Sequence, residues 1–271
     1  MSINHYENFP VASILLPKRL RRPIMVIYRF ARCADDIADE GDASDTERLR
    51  ALAGYRSELE HIAAGASSEH QMFNELARVI REGDLPYAPF YDLLDAFAQD
   101  VVKKRYADYS ELLDYCRRSA NPVGRLLLHL FGGEIACAEN FSYSDSICSA
   151  LQLINFWQDI AIDWQKGRVY LPQSELRRFA VDEERIAAQH CDEHWFRLVD
   201  AQLERAEEMM RAGMPLVHVL PGRLAWEIRL TIQGGLRILA KIRARRGDVF
   251  RHRPMLSMTD YLRMGFNAAW M

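Results

Sequence analysis

The chain has 271 residues, with 35 Lys and Arg against 38 Asp and Glu and a formal charge of −3. Its 49% apolar and 27% charged residues are typical of a globular protein and exclude a disordered tail or a fibrous repeat. No apolar run approaches the roughly 20 residues that span a bilayer, no signal-peptide layout is visible, and the slight acidic excess gives no electrostatic footprint for nucleic acid. We therefore expect a cytoplasmic protein with no nucleic-acid partner.

Apolar residues recur at three- and four-residue steps along most of the chain, and this period predicts helices. Pro23 is placed in the first turn of the first helix, and Ser44 begins a capping-box signature. Ser110 and Ser144 are predicted to cap two later helices, and Pro122 is predicted to kink the helix that contains it. In chain order, we predict helices at about 23–41, 44–64, 69–82, 87–105, 110–131, 144–164, 182–213, 223–246 and 258–269.

No alternating pattern bounded by hairpin turns competes with these helices. The stretch 166–172 is typical of a loop because it combines Gly, Pro and charged residues between two helical patterns. We find no fixed-period repeat, low-complexity tract or flexible linker. The sequence therefore predicts a single all-α domain over residues 1–271.

Two acidic motifs lie near the ends of apolar helices. In each motif the outer aspartates, Asp35 with Asp39 and Asp159 with Asp163, are four residues apart. Both carboxylates of a pair then share one helix face, with Cβ atoms roughly 5 to 6 Å apart. Repulsion between the two carboxylates destabilises the helix, and a bound divalent cation would remove that repulsion. Paired hard oxygen ligands suit Mg²⁺, which completes its coordination with water and substrate phosphates.

The acidic motifs have two explanations, a solvated helix end or a clamp for a diphosphate. The flanking residues weigh against the first, because the second pair is surrounded by Leu153, Ile154, Phe156, Trp157 and Ile160. Carboxylates buried without partners are costly. Two such helices facing each other would hold a diphosphate through Mg²⁺ and draw it away from an allylic or cyclopropylcarbinyl carbon. Aromatic ring faces would stabilise the cation left behind.

These residues resemble the squalene and phytoene synthases, a family of head-to-head prenyl transferases, from about residue 5 to residue 253. The most specific parts of the resemblance are Tyr28-Arg29-Phe30-Ala31-Arg32 before the first motif, Tyr115-Cys116, Asn155 four residues before Asp159, and the loop 167–172. Both aspartate motifs in this order make the resemblance strong. It implies an isoprenoid synthase-type helical bundle with a central active-site cavity.

The resemblance also implies a metal-binding set. Asp35 and Asp39 would hold Mg²⁺ from one side of the pocket, and Asn155, Asp159 and Asp163 would hold it from the other. The four aspartates are accordingly expected to be catalytic.

Five further residues are expected to bind or act on the substrate by the same resemblance. Arg32 would contact the diphosphate, and Arg253 occupies the place of a late arginine that the family brings toward the pocket. Tyr28 and Tyr115 would line the reacting cavity, with Tyr115 counted among the catalytic residues. Gln152, one turn before the metal-binding asparagine, would line the pocket as well.

The chain departs from the family pattern where two diphosphates would be held. Glu7 stands where a diphosphate-binding lysine is common, Gln158 replaces an arginine, and Arg117-Arg118-Ser119 replaces the usual small residues after Tyr115-Cys116. These changes favour a site that binds one diphosphate rather than two. The whole pattern is most similar to the bacterial hydroxysqualene synthase branch, whose members ionise presqualene diphosphate, open its cyclopropane and capture the cation with water.

We therefore expect a prenyl diphosphate substrate, Mg²⁺ as cofactor, hydroxysqualene as product and a reductase acting downstream. One alternative is condensation of prenyl diphosphates to squalene, presqualene diphosphate or phytoene, and another is a non-catalytic helical binding or scaffold protein. The sequence contains no G-x-G-x-x-G motif and no predicted strand to precede one. Dinucleotide binding, and therefore NADPH, is not expected. Since a C30 substrate partitions into lipid, we expect at most peripheral contact with the inner membrane surface. No feature of the sequence specifies an oligomeric state.

Overall fold

A computed structural model of the chain describes residues 17–271. The first seven helices of this part are α1 (Lys18–Asp39), α2 (Asp45–Ala63), α3 (Gln71–Gly83), α4 (Ala88–Val102), α5 (Tyr109–Ser119), α6 (Asn121–Phe131) and α7 (Ala138–Gln158). They are followed by α8 (Ile160–Gln165), α9 (Gln173–Arg178), α10 (Glu183–Ala187), α11 (Glu193–Ala212), α12 (Leu216–Val219), α13 (Gly222–Ala244) and α14 (Met258–Ala269). Over the same residues the extended backbone amounts to one isolated bridge between Arg105 and Val169. The all-α prediction is confirmed.

The buried apolar side chains form two clusters. One cluster is built mainly by α1 to α4 around Phe30, and the other mainly by α5 to α13 around Trp157 and Trp195. Helices α4 and α6 contribute side chains to both clusters, so the two halves share structural elements. No helix within residues 17–271 is long and apolar enough to cross a membrane.

The N-terminal helices agree with the sequence pattern except at one end. Ser44 caps α2 as predicted, since its side chain accepts from the Glu47 amide and the Glu47 carboxylate accepts from the Ser44 amide at 2.8 Å. Helix α1, however, starts at Lys18, so the placement of Pro23 in its first turn was wrong. Proline at this position removes one backbone donor from the helix interior.

The helix predicted over 110–131 is two helices. Helix α5 ends at Ser119 and α6 begins at Asn121, so Pro122 lies in the first turn of a new helix, where its missing amide costs nothing. The predicted cap at Ser110 was also wrong. Asp108 caps α5 by accepting from the Glu111 amide at 3.0 Å, and the Ser110 hydroxyl donates to the same carboxylate.

The helices predicted over 144–164 and 182–213 are also divided. Ser144 does not cap a helix, because α7 begins at Ala138 and carries Ser144 buried in its interior. That helix ends at Gln158, and α8 begins at Ile160 after the single residue Asp159. Within 182–213, Asp182 and Asp192 each cap a separate helix, α10 and α11. The sequence pattern also missed the short helices α9 and α12.

Candidate active site

The two aspartate motifs lie at helix ends. Asp35 and Asp39 belong to the last turns of α1, while Asp159 occupies the single non-helical position between α7 and α8. The Asp163 amide nevertheless donates to the Asp159 carbonyl at 2.8 Å. This bond preserves a helix-like four-residue step across the break, so the second pair of carboxylates remains stacked.

Arg168 joins the two motifs. Its guanidinium donates through both terminal nitrogens to the two carboxylate oxygens of Asp39, with Nη1 to Oδ2 at 3.0 Å, although the residues are 129 positions apart. The Arg168 amide donates to the Asp163 carbonyl at 2.8 Å, which anchors the loop to α8. Lys166 adds a second cation 3.2 Å from Asp39 Oδ2. The loop thus holds the end of α1 against α8.

The carboxylates have unequal proton affinities. Burial, followed by the neighbouring Asp39 charge, raises the pKa of Asp35 to about 6. Burial and then the Asp159 charge raise the pKa of Asp163 to about 7, against the opposing effect of Arg168. Burial would also raise the pKa of Asp39, but the hydrogen bonds and positive charges of Arg168 and Lys166 together outweigh it and lower that pKa. Asp35 and Asp163 therefore hold their protons more tightly than an exposed aspartate does, mainly because they are buried.

Arg253 reaches the second motif from the segment between α13 and α14. Its Nε and Nη2 donate to the two oxygens of Asp159, Nη2 at 3.0 Å. Gln158, buried at the end of α7, donates its side-chain amide to the Pro254 carbonyl. Gln158 therefore fixes the backbone that presents Arg253.

The remaining predicted residues lie on the same helices. On α1, Arg32 is 3.3 Å from Asp35 and 2.7 Å from Asp36, and Tyr28 lies one helical turn earlier. On α7, Gln152 and Asn155 are half-buried and precede the second motif by successive turns. These positions agree with the predicted site, and the roles remain predictions.

Tyr115 lies in a group of buried aromatic rings. Its hydroxyl donates to Asp100 Oδ2 at 2.8 Å, and its ring lies 6.0 Å from the rings of Phe156 and Tyr170, which stack on each other at 3.8 Å. Burial raises the pKa of Asp100 to about 7, although the Tyr115 bond acts in the opposite direction. Two buried atoms here, Asp100 Oδ1 and Arg168 Nε, have no hydrogen-bond partner within the described part of the chain.

Sequence reasoning missed Asp100 and Arg168 as site residues. Arg168 was part of the loop motif, so the signal for it was present. Asp100 gave no comparable signal, because it is one aspartate within an ordinary amphipathic helix. Its place in the site depends on Tyr115, which belongs to another helix.

The carboxylates offer the ligand chemistry that Mg²⁺ requires, but they are not assembled into a metal site. Within residues 17–271 no three His, Cys, Asp or Glu side chains converge on one point. Arg168 and Arg253 occupy Asp39 and Asp159 instead. Burial and the neighbouring Asp159 charge raise the pKa of Asp163, and a bound cation would offset both effects. The donor set therefore fits Mg²⁺.

Comparisons with known proteins identify the family of the chain. The sequence pattern of the squalene/phytoene synthase family matches residues 3–260. A hydroxysqualene synthase of Sinorhizobium fredii is 32% identical over 269 residues, which cover 98% of this chain and 89% of that protein. A phytoene synthase of Mycobacterium tuberculosis is 30% identical over 256 residues, which cover 93% of this chain and 82% of that protein.

A solved structure gives the same result at the level of the fold. The crystal structure of squalene synthase HpnC from Alicyclobacillus acidocaldarius matches with a TM-score of 0.82 and 37% sequence identity, covering 89% of this chain and 90% of that one. The resemblance seen in the motifs and the isoprenoid synthase-type fold are thereby confirmed. The chain belongs to the squalene/phytoene synthase family.

Proposed function

We propose that the chain ionises presqualene diphosphate with the help of Mg²⁺ and captures the cation with water, giving hydroxysqualene. The observation that carries this proposal is the meeting of two aspartate pairs around Arg168, with Arg253 bound to the second pair. The names of the Sinorhizobium fredii relative and of others in the same branch support the choice of reaction within the family.

The metal-binding residues we propose are Asp35, Asp39, Asn155, Asp159 and Asp163. Bound Mg²⁺ would supply Lewis-acid stabilisation of the negative charge that develops on the departing diphosphate. The burial and close spacing of the carboxylates in the two pairs are the features that call for such cations.

The two arginines have a separate task. A guanidinium binds phosphate oxygens with the same two-pronged geometry that it uses for carboxylates. Arg168 and Arg253 are therefore suited to exchange Asp39 and Asp159 for oxygens of the diphosphate. The exchange would release both carboxylates for metal binding. Arg32, two turns before the end of α1, would contact the diphosphate from the other side.

The chemistry needs no oxidant or reductant. The carbon–oxygen bond breaks and its electron pair leaves with the diphosphate, after which the cyclopropane opens. A water oxygen bonds to the allylic cation and loses a proton. The rings of Tyr115, Phe156 and Tyr170 present polarisable faces that stabilise a cation. We accordingly propose that NADPH takes no part.

Two departures from the family bear on the number of diphosphates. Gln158 binds the Pro254 carbonyl, so this position has a structural contact in place of a diphosphate-binding arginine. Arg117 and Arg118 both pair with Asp114. Both contacts support a site for one diphosphate. Glu7, the third departure, lies outside the described residues.

The test supplies presqualene diphosphate or farnesyl diphosphate separately, with Mg²⁺, and identifies products by mass spectrometry. We expect hydroxysqualene from the first substrate and little product from the second. Efficient formation of presqualene diphosphate or phytoene from linear diphosphates would place the chain in a condensing branch. NADPH-dependent squalene formation would contradict the proposed chemistry as well.

The metal-binding aspartates are tested with Asp159→Asn. We expect a loss of turnover of about 10²-fold or more, with native helical circular dichroism. Asp95→Asn is the matched control, because Asp95 pairs with Arg56 on the surface of α4. Full activity of Asp159→Asn, or activity in excess chelator, would exclude the metal mechanism. A scaffold protein would bind neither Mg²⁺ nor a nonreactive diphosphate analogue in a titration.

A further inference from the structure

Helix α14 exposes an unusual amount of apolar surface. Its outward face, with the residue that follows its end, carries Met258 (78% exposed), Tyr261 (50%), Leu262 (75%), Phe266 (68%) and Trp270 (82%). Nothing within residues 17–271 packs over this face. Contiguous apolar patches of this kind mark interaction surfaces.

The orientation of α14 is fixed by its opposite side. Asp260, Met264 and Ala268 follow each other at four-residue steps and are buried against α13. Asp260 accepts from Arg237 at 2.6 Å and also pairs with Lys241. The outward apolar face is therefore held in place by a buried ion cluster, and rotating it inward would break that cluster.

The surroundings of α14 are cationic. Residues 237–271 contain eight Lys and Arg and two acidic residues, but Arg243, Arg246 and Arg253 pair with acidic residues of other elements, so only the charges beside the helix bear on docking. Around the helix itself lie the exposed Arg263, the two cations that bind Asp260, and Arg229, which donates to the Ala268 carbonyl. An apolar face bordered by positive charge is complementary to an anionic lipid surface.

A second copy of the chain fits this face less well. A symmetric contact through α14 would bring Arg263 and the basic surroundings of one copy close to those of the other. Tyr261 and Trp270 each carry a polar group on an apolar ring, which suits the boundary between lipid and water. The charge and the aromatic residues both favour lipid.

We infer that α14 is a membrane-docking helix, which inserts its outward face between the headgroups of an anionic bilayer. The segment before the helix contains Arg253, which binds Asp159 and lies five residues, or at most about 18 Å of extended chain, before Met258. If the proposed function holds, docking brings the site to the lipid in which its substrate dissolves. The docking itself does not depend on the reaction.

The experiment measures flotation of the full chain, without substrate, on vesicles of three parts phosphatidylcholine to one part phosphatidylglycerol. We compare Leu262→Ser/Phe266→Ser with Val102→Ser, which removes an equally exposed apolar side chain from α4. Binding of the double variant should fall at least about tenfold, because two large side chains no longer enter lipid. Binding of the control should be unchanged, and raised salt or pure phosphatidylcholine should weaken binding.

Absence of vesicle binding, or equal binding by the double variant, would overturn the inference. A second contrary result would be a dimer, seen by sedimentation in the absence of vesicles, that the two substitutions dissociate. The outward face of α14 would then be a protein interface. Turnover in detergent tests the proposed function separately, and the double variant should retain it because neither residue lies in the site.

Discussion

Tyr115 donates a hydrogen bond to Asp100 at a place where both side chains are buried. Tyr115→Phe would leave Asp100 Oδ2 without this donor, and we expect the free energy of unfolding to fall by about 1–3 kcal/mol. Urea denaturation measures the change. Tyr143→Phe is the control, because the Tyr143 hydroxyl binds Glu139 on the surface and its loss should cost less than about 0.5 kcal/mol. Equal effects would mean that burial adds nothing to the Tyr115 bond.

Arg168 competes with metal for Asp39. Arg168→Gln removes the cation that binds both oxygens of this carboxylate, so we expect tighter binding of Mg²⁺ in the absence of substrate, measured by calorimetric titration. Lys166→Gln should have a smaller effect, since Lys166 makes a single contact and is half exposed. The same Arg168 variant should turn over substrate more slowly. Unchanged affinity for Mg²⁺ would show that Arg168 does not share the metal site.

At the level of residues, sequence reasoning succeeded where a motif places the side chain locally. Asp35 and Asp39 are one helical turn apart, and this geometry follows from their spacing alone. The link from Asp39 to Arg168 crosses 129 positions, and no local pattern encodes it. Asp100 was missed for the same reason, as its partner lies on another helix.

Helices α6 and α7 approach closely at Gly124. A Cβ atom added there would clash with the Ser144 side chain and lie 2.7 Å from Cys148 Sγ. We expect Gly124→Ala to lower the free energy of unfolding by about 1–3 kcal/mol through overpacking. Gly54→Ala is the matched control, since nothing lies within 4 Å of its added Cβ and better helix propensity should stabilise α2 by up to about 1 kcal/mol. A stabilised Gly124→Ala would contradict the close packing.

Helix α14 is attached by an ion cluster that depends on pH. Hydrogen bonds from Lys241 and then Ser257 lower the pKa of Asp260 well below its ordinary value near 4. Because the pKa of Asp260 is lower in the folded chain than in the unfolded chain, the cluster contributes its full stability above about pH 4. That stability is lost as the pH falls below about 4 toward the pKa of the folded state. The protection factors of the α14 amides, which correct for the intrinsic pH dependence of exchange, should fall on acidification below about pH 4, and Asp260→Asn should remove much of that fall. Asp200→Asn, at a surface pair with Arg243, should not.

The helix boundaries show why sequence patterns mark helices better than their ends. The apolar period continues through Asp159 and through Ala120, so a break of one residue is invisible to it. Ser144 looks like a cap because serine is common there, yet it is buried against Gly124 on a neighbouring helix. Ser44 was predicted correctly because both halves of its capping box lie within four residues.

At the scale of the whole molecule, the two apolar clusters are expected to unfold together, as one domain over residues 1–271. Helix α4 places Phe97 in the N-terminal cluster and Ala96 in the C-terminal cluster. Helix α6 likewise places Leu126 in the N-terminal cluster and Leu128 in the C-terminal cluster. Neither cluster can lose its packing without exposing a helix that the other needs. The bridge from Asp39 to Arg168 adds a polar connection between the halves.

The distribution of tryptophan makes this expectation testable without labels. All five tryptophans lie between residues 157 and 270, so their fluorescence reports on the C-terminal cluster, whereas far-ultraviolet circular dichroism reports on every helix. In urea, the two signals should follow one transition with the same midpoint. Helical signal lost before the fluorescence changes would show that α1 to α3 unfold separately, and the chain would then contain two units. Coincident transitions would also mean that the first aspartate motif is held in place by the stability of the whole chain.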